Sequence, residues 1–345
     1  MPSALTCRKD ALMKKGPVLC TAVRMDPGMH LHDTSLKKYL KNFRALFFCD
    51  MINEQARPET CPGSRMTIGN RRSIRDFTAA LQKRRREYSM ITDSFDAKSP
   101  ARINVKKNEN AVPVDAVVYT FSHEIEQYVT ENYDCEKVGE FKMASGSHSA
   151  YVFEHNGRKY GFYKTWIGAP ACVAPVEELA TVLDAKKLIH FGGAGCLDRE
   201  IARGRIMIPT EACREEGTSY HYAPASDYIQ IKNWKTVRDF MEENKISYVV
   251  GKTWTTDAFY RETVNNFLKH KAEGCISVEM EGSAVQAVCD FRGYEVYMFF
   301  TGGDLLDAPE WTMRKEKGQI KHTQHDPGYF EIALALAEYV AALQR

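Results

Sequence analysis

From about residue 90 onward, apolar positions follow two alternating patterns, one typical of buried strands and the other of amphipathic helices. The run "VDAVVYTF" at residues 114–121 is mostly apolar and rich in valine, which indicates a buried strand. The next segment, "SHEIEQYVTENY", places Ile125, Tyr128 and Val129 at helical spacing behind Ser122, a residue type that favours helix N-caps. The sequence therefore predicts a strand followed directly by a helix.

The same alternation continues to the C-terminal end of the sequence. The stretch "AYVFEHNGRKYGFYKTW" predicts a β-hairpin with Asn156-Gly157 as its two-residue turn. Further strands are predicted at "KLIHF", which runs into the small residues "GGAG", and at "RIMIPTEA", "DYIQI", "SYVVGKTW", "CISVEM" and "EVYMFF", which ends in "TGGD". Helices are predicted at "APACVAPVEELATVLDAK", "NWKTVRDFMEEN", "RETVNNFLKHKAEG", "EGSAVQAVCDFRG" and "PGYFEIALALAEYVAALQ". We therefore expect residues 90–345 to form a single α/β domain, with a mixed central β-sheet flanked by helices on both faces.

Residues 1–89 show no sustained period. A helical spacing of apolar residues in "LKKYLKNFRALFFCDMI" gives way to segments punctuated by Pro, Gly and Arg. This part carries 18 Lys and Arg against 8 Asp and Glu, so it is basic while the rest of the chain is mildly acidic. The run "QKRRREY" could contact nucleic acid or phosphate, but a solvated or disordered tail explains it better. We predict a basic N-terminal extension that the fold does not need; an alternative is that translation begins at Met90.

Composition and cysteine spacing narrow the class of protein. The chain has 345 residues, of which 44% are hydrophobic and 27% are charged, as in ordinary globular proteins. The sequence shows no apolar run of 18 residues and no apolar signal segment after its start, so we expect neither a membrane span nor secretion. Its 10 cysteines lack CxxC pairs and zinc-like spacing. The sequence therefore predicts a cytoplasmic protein with reduced thiols, no metal site and no nucleic-acid or membrane partner.

Three of the predicted strands end in residues that suit ligand binding. The strand "KLIHF" runs into Gly192, Gly193 and Gly195, which predicts a loop with bare backbone amides. The stretch "VEMEG" places two carboxylates at an apolar junction, and "TGGD" places Asp304 after an apolar strand. Ligands of open α/β sheets bind beyond the carboxyl ends of strands. Each feature also has a purely structural explanation. The glycines could form a tight turn, the two carboxylates could lie at the start of a helix, and Asp304 could be a helix N-cap.

These three strand ends, in their order along the chain, resemble those of the nucleoside phosphorylase superfamily. The stretch "WTTDAFYRE" at residues 254–262, which precedes "VEMEG", is part of this resemblance. That family includes purine nucleoside phosphorylases, uridine phosphorylases and the methylthioadenosine/adenosylhomocysteine nucleosidases. The resemblance covers roughly residues 114–340, and "VEME" before small residues and a helix is its most specific motif. It implies cleavage of an N-glycosidic bond through an oxocarbenium-like ribose.

The resemblance also implies roles for individual residues. Glu281 matches the glutamate that holds the ribose hydroxyls and opposes the positive charge on the ring. Met280 matches the residue packed under the sugar, and Glu279 matches the first acid of the motif, near base and sugar. Phe259 is expected to stack on the base, with Tyr260 beside it; core packing is the alternative for Phe259.

Asp304 matches the acid that protonates N7 of the leaving base in purine-cleaving members of the family. A group with that role needs a pKa raised by burial, so that it holds a proton near neutral pH. Pyrimidine-specific members lack this acid, and Asp304 therefore favours a purine nucleoside as the substrate.

The expected phosphate ligands are replaced in this sequence. Ile125 stands where the family's phosphorylases carry an arginine, and His190 replaces the arginine before the glycine turn. The hydroxyl residue expected in that turn falls at Gly193 or Ala194. A partly protonated His190 is one possible contributor of positive charge. Arg199, Arg203, Arg214, the N-terminal arginines or a neighbouring subunit are the other possibilities.

The same alignment places Glu126 where hydrolytic members carry the glutamate that activates water, with His123 and Glu124 as nearby alternatives. Phosphorolysis of a small-molecule nucleoside, with inorganic phosphate as co-substrate and no cofactor, is the first hypothesis. Hydrolysis through Glu126 is the second, and a non-catalytic nucleoside-binding protein is the third. By resemblance we expect Gly192, Gly193 and His190 to contact substrate and the protein to form a homo-oligomer.

Overall fold

The structure is a computed structural model that describes residues 90–198, 200, 205–307 and 326–343, with the side chain of Asp304 excluded. The predicted N-terminal extension, residues 1–89, lies outside the described residues, so its organisation and the domain boundary at residue 90 stay predictions.

Strands and helices alternate along the described part of the chain. The strands are β1 (Val112–Pro113), β2 (Ala116–Thr120), β3 (Glu136–Met143), β4 (Gly146–His155), β5 (Arg158–Lys164), β6 (Leu183–Asp184), β7 (Lys187–Cys196), β8 (Ile206–Glu215), β9 (Tyr228–Gln230), β10 (Tyr248–Thr256), β11 (Cys275–Glu279) and β12 (Glu295–Leu305). The α-helices are α1 (His123–Asn132), α2 (Ala169–Glu178), α3 (Trp234–Glu243), α4 (Val264–Ala272), α5 (Gly282–Arg292) and α6 (Pro327–Ala342).

The main sheet is mixed, as the sequence predicts. Its strand order is β11-β10-β8-β12-β7-β2-β5-β4-β3, and the short strand β9 pairs with β8. The pairs in its centre are parallel, apart from β8 with β12, whereas the hairpins β3–β4 and β4–β5 are antiparallel. The hairpin turn lies at Asn156 and Gly157, whose φ values of 48° and 73° fit the predicted two-residue turn.

The sheet curls far enough for β11 to pair a second time, with the end of β7. Ser277 lies opposite Cys196 and Val278 lies opposite Gly195 in this antiparallel contact, which links β7, β12, β8, β10 and β11 into a ring. A Cβ atom at Gly195 would lie 2.6 Å from Leu306 Cδ1 and 2.8 Å from Val278 Cγ1. Glycine suits this position because the side chains of Leu306 and Val278 occupy the space that a Cβ atom would need.

The ring corrects the prediction that the glycines form a loop after the strand. Residues 192–195 belong to β7, where Gly192 lies opposite Phe300 and Gly193 opposite Thr301 of β12. The strand continues through the glycines because β12 on one side and β11 on the other supply pairing partners. Glycine weakens a strand taken alone, but the neighbouring strands decide the outcome.

Helices pack on both faces of the sheet, which confirms the predicted α/β architecture. One core lies under α1, α3 and α6, and its buried helix residues include Ile125, Val129, Val237, Phe240, Phe330 and Leu334. The other core lies under α2 and α5, with Val173, Val176, Val285 and Val288. Helix α1 begins as predicted, because Ser122 Oγ accepts a hydrogen bond from the Ile125 amide at 3.2 Å. Among the described helices, none is both long and apolar enough to cross a bilayer.

Candidate active site

A cavity of about 800 Å³ opens where β2, β7, β11 and β12 end. The segment between β10 and α4 forms a further wall. The cavity brings together most of the site residues predicted from the sequence: His190, Gly192, Gly193, Phe259, Tyr260, Glu279, Met280 and Glu281. Its place at strand ends is the expected place for a ligand site in an α/β sheet.

Glu279 is the last residue of β11 and is buried. Its Oε2 accepts hydrogen bonds from the backbone amides of Glu281 at 2.7 Å and Gly282 at 2.5 Å. Its Oε1 accepts from the hydroxyls of Thr255 at 2.6 Å and Thr253 at 3.3 Å. Glu279 thus binds the N-terminal amides of α5 to the end of β10, and its carboxylate has little remaining capacity for a ligand.

Glu281 is the residue before α5 and is also buried, but it is less fully hydrogen-bonded. Its Oε1 accepts from the Gly168 amide at 2.6 Å and its Oε2 accepts from the Met280 amide at 3.2 Å. Gly168 has a φ of 98°, a conformation that favours glycine, and it begins α2. Two sequence-distant elements therefore position the Glu281 carboxylate in the wall of the cavity.

Burial raises the pKa of both glutamates. For Glu281, burial and then the neighbouring Glu279 carboxylate raise the pKa to about 8. Burial also raises the pKa of Glu279, while its four hydrogen-bond donors act in the opposite direction. Because two nearby carboxylates repel each other, we assign the retained proton to Glu281, which has fewer hydrogen-bond donors. Hydroxyl donors from a bound ligand would favour release of that proton.

His190 is buried in the cavity wall, and its Nδ1 lies 2.6 Å from the Tyr119 hydroxyl. Burial lowers the pKa of His190 to about 3, so the ring is neutral at pH 7. The expectation of a positive charge from His190 is therefore wrong, because the ring lies among Tyr119, Phe121 and Phe300 rather than in water. Burial also holds the pKa of Tyr119 well above its usual value, so its hydroxyl stays protonated; its hydrogen bond with Nδ1 runs in either direction, according to the tautomer of the ring.

Aromatic and aliphatic side chains make up much of the remaining wall. Phe259 and Tyr260 lie on a short 3₁₀ turn with their rings 4.0 Å apart, and they are 51% and 88% exposed. Phe259 is thus not a core residue, which removes the structural alternative considered from the sequence. The wall also contains residues that the sequence analysis did not select: Thr120, Phe121, Ser122, Ile167, Glu262, Val264, Phe267, Phe300 and Leu306. Phe121 ends the strand predicted at residues 114–121 and Ser122 follows it, so their place at a strand end could have identified both.

Asp304 lies near the end of β12, but its side chain is outside the described part of the structure. Gly303 and Leu306 on either side of it both line the cavity. The pairing of β12 with β7 shifts register between Gly302 and Leu305. Such irregularities often occur beside active sites, where they change the direction of the chain.

Glu126 is not among the residues that line the cavity. It lies in the first turn of α1 with a side chain that is 15% exposed, and Lys164 Nζ is 2.8 Å from its Oε2. His123 Nδ1 is 3.3 Å from the same oxygen. A role in activating water would therefore require Glu126 to leave its ion pair with Lys164.

Of the arginines considered as phosphate ligands, Arg214 is committed to its own loop. Its guanidinium donates to Ser219 Oγ, to Ser226 Oγ and to the carbonyl oxygens of Ala223 and Pro224. Arg199 and Arg203 lie outside the described residues. Ile125, at the position of the other expected arginine, is buried in the core. Among the described lining residues, the charged types are the glutamates 262, 279 and 281.

This arrangement can bind a polar ring and stabilise positive charge beside it. Glu281, when ionised, accepts hydrogen bonds from ligand hydroxyls and opposes a cation. His190 contributes a neutral imidazole to the wall, and the exposed Phe259 ring supplies a flat face for stacking.

Comparisons with known proteins agree with the geometry. The sequence model of the phosphorylase superfamily matches residues 115–323. A protein of Alkaliphilus metalliredigens named purine nucleoside phosphorylase DeoD-type is 25% identical over 215 residues, which cover 61% of this chain and 89% of the relative. A protein of the same name from Xenorhabdus nematophila is 25% identical over 213 residues, covering 60% of this chain and 86% of the relative.

Proposed function

The chain belongs to the phosphorylase superfamily, and on that premise we propose that its cavity cleaves the N-glycosidic bond of a purine nucleoside by phosphorolysis. The products would be the free base and ribose 1-phosphate. The observation that carries this proposal is the difference between Glu279 and Glu281. Glu279 accepts hydrogen bonds from the backbone amides at the start of α5, whereas Glu281 lines the cavity and has fewer hydrogen-bond donors.

Glu281 would act on the sugar. Ribose hydroxyls donate to its carboxylate, favour its ionised form and displace the proton that burial holds there. The ionised carboxylate then opposes the positive charge that develops on the ribose ring as the bond to the base lengthens. Met280, next to it in the wall, would pack under the sugar.

The base would lie between Phe259 and the end of β12. The Phe259 ring, exposed at the cavity wall, gives a stacking surface that pairs with the neighbouring Tyr260. Asp304 would protonate N7 of the purine as the bond breaks, which is the role that the sequence resemblance implies. The positions of Gly303 and Leu306 in the wall support this assignment, and the names of the bacterial relatives support a purine.

Phosphorolysis is placed first because both of these relatives are named phosphorylases. Inorganic phosphate would be the co-substrate. Its cationic ligands would then come from outside the described lining residues, where Arg199 and Arg203 are candidates by sequence. His190 would offer a neutral ring rather than a positive charge.

A hydrolytic nucleosidase is the second candidate. It is favoured by the carboxylate character of the described cavity wall and by the neutral state of His190, since neither attracts phosphate. In this reaction Glu126 would accept a proton from the attacking water, after its ion pair with Lys164 opens.

Base release with and without phosphate separates the candidates. Inosine, adenosine, methylthioadenosine and uridine are incubated with the protein in phosphate-free buffer and again with added phosphate. Absolute dependence on phosphate and formation of ribose 1-phosphate support phosphorolysis. Release of free ribose without phosphate supports hydrolysis, and nucleoside binding without release of any base would reject both.

A Glu126→Gln variant gives a second measurement. We expect kcat to change less than about 10-fold if the protein is a phosphorylase, because the side chain is held by Lys164 outside the cavity lining. A hydrolase that uses Glu126 as a base would lose roughly 100- to 10,000-fold. The variant Glu154→Gln, at an exposed carboxylate in β4 that pairs with Lys159 across the hairpin, is the matched control.

We also propose that the protein forms a homo-oligomer. Large apolar side chains are exposed around the cavity mouth, and Ile167, Tyr260 and Val264 are among them. Such a concentration is typical of protein–protein contacts. Light scattering coupled to size-exclusion chromatography tests this proposal; a monomer at working concentration would reject it.

A further inference from the structure

Three metal-ligating side chain types meet away from the cavity, between the sheet and α4. Cys213 and Glu215 lie two residues apart on β8 and therefore on the same face of the strand, and His270 lies on α4. One ligand atom from each residue lies within 4.8 Å of the corresponding atoms of the other two. The absence of zinc-like cysteine spacing predicts no metal site; a cluster in which His270 lies 55 residues away from Glu215 along the chain leaves no such motif.

The surroundings of His270 point to a cation at its Nε2. The ring is fully buried, with Nε2 3.0 Å from Glu215 Oε1 and Nδ1 3.3 Å from Glu273 Oε2. A neutral imidazole carries only one N–H and can donate to one of these carboxylates. If Nδ1 donates to Glu273, a lone pair of Nε2 faces an oxygen of Glu215, and the two repel unless a proton or metal ion lies between them.

Neighbouring groups orient two of the candidate ligands by hydrogen bonds, as is usual in metal sites. Histidine ligands usually donate their other ring nitrogen to a carboxylate, which fixes the tautomer, and Glu273 occupies that place here. Tyr228 in turn donates its hydroxyl to Glu273. Trp254 Nε1 donates to Glu215 Oε2 at 2.8 Å and leaves Oε1 directed at His270. Both ligands are thus oriented by a second group.

We propose that Cys213 Sγ, Glu215 Oε1 and His270 Nε2 bind a zinc ion, with water as the fourth ligand. A thiolate and an imidazole favour zinc over magnesium or calcium, which prefer oxygen ligands alone. Binding releases the thiol proton of Cys213 to solvent. The Glu215 side chain is 35% exposed, which gives the ion a path from water. Lys269 Nζ, 4.0 Å from Glu215 Oε1 and well exposed, would turn toward solvent.

Such an ion would fasten α4 to the end of β8. Val264 and Phe267 of α4 line the cavity, so the zinc ion would brace one wall of the candidate active site without contacting substrate. The zinc ion would affect the stability of the protein and the position of α4 in the cavity wall. The proposal is the same whether the reaction is phosphorolysis or hydrolysis.

Metal binding by the full-length protein tests the proposal. The protein is stripped with a chelator and titrated with Zn²⁺ against a chromophoric competitor, and with Co²⁺ for its absorption spectrum. We expect one equivalent per chain and a near-ultraviolet sulfur-to-cobalt charge-transfer band. Cys213→Ser should abolish that band, Cys213→Ser and Glu215→Gln should each weaken zinc binding at least about 10-fold, and Glu273→Gln should weaken it about 10- to 100-fold.

The matched control is Cys135→Ser, a half-buried cysteine that follows α1 and whose thiol contacts the Val129 carbonyl. This variant should keep both the affinity and the band. Zinc should also raise the unfolding temperature of the wild-type protein more than that of Cys213→Ser at the same zinc concentration. Zinc binding below one equivalent per chain would overturn the proposal. A charge-transfer band and a zinc affinity that are unchanged in Cys213→Ser would also overturn it, because other cysteines would then bind the metal.

Discussion

At the residue scale, the two glutamates of the "VEME" motif do different work. Glu279 accepts four hydrogen bonds and joins the α5 start to β10, so we regard it as a positioning residue. Glu281 accepts two and lines the cavity. Removing Glu279 would leave buried amides and hydroxyls without an acceptor, whereas replacing Glu281 by Gln keeps its size and removes mainly its charge.

The raised pKa of Glu281 predicts how stability depends on pH. In the unfolded chain this carboxyl ionises near its ordinary pKa of 4.5, and in the folded protein near 8. Between these values the folded state binds a proton that the unfolded state has lost, so the free energy of unfolding falls as pH rises. The contribution of Glu281 should fall by up to about 1.4 kcal/mol per pH unit.

Urea unfolding from pH 5 to 8 checks this prediction. The difference in free energy of unfolding between wild type and Glu281→Gln should shift in favour of the variant as pH rises, because Gln has no proton to lose. A constant difference across this range would show that Glu281 is not buried with a raised pKa.

The second prediction at the residue scale concerns Asp304 and tests whether it protonates a purine leaving group. Asp304→Asn should lower kcat for purine nucleosides by roughly two to four orders of magnitude, the loss expected on removal of a general acid. Nitrophenyl ribosides, whose leaving group needs no protonation, should lose much less. Comparison of kcat for the two substrates is the measurement, and equal losses would mean that Asp304 has a structural role.

At the scale of elements, the close approach of β7, β11 and the end of β12 shapes the site. Gly195→Ala should destabilise the fold by about 1–3 kcal/mol, because the new Cβ would lie 2.6 Å from Leu306 Cδ1 and 2.8 Å from Val278 Cγ1. Chemical denaturation measures the change. Gly217→Ala is the control, since nothing lies within 4 Å of a Cβ at Gly217 and its amide contact with Asp257 is kept. Equal stability of the two variants would contradict the described ring.

The elements themselves could be predicted from the sequence because their signals are local. Helical spacing and Ser122 locate α1, and Asn156-Gly157 locates the β4–β5 turn. Strand β3, Glu136–Met143, was missed because only Phe141 in it is fully buried and its polar residues give no apolar run. The continuation of β7 through its glycines was also missed, because it depends on pairing with β12 and β11, which are distant along the sequence.

At the scale of the whole molecule, strand ends that are distant in sequence form one cavity. The resemblance located Glu279, Glu281, Phe259 and His190 in it. The neutral state of His190 could not be predicted, because it follows from burial among rings of other elements. Ile167 was likewise not selected, since nothing local marks it as a cavity residue.

The N-terminal extension gives the prediction that belongs to the whole chain. We expect residues 90–345 expressed alone to be soluble and to unfold cooperatively, because the regular α/β pattern begins only after the basic, aperiodic segment. Calorimetry and solubility check this. An insoluble or non-cooperative product would show that residues 1–89 are part of the folded core.

The catalytic role of Glu281 is tested most directly by release of base from a purine nucleoside, measured for wild-type protein and for Glu281→Gln with phosphate present. We expect wild type to release the base and Glu281→Gln to be about 100- to 1000-fold slower in kcat, because the charge opposing the ribose cation is gone. Glu154→Gln should match wild type. A near wild-type kcat in Glu281→Gln would show that Glu281 is only a carboxylate at the start of α5.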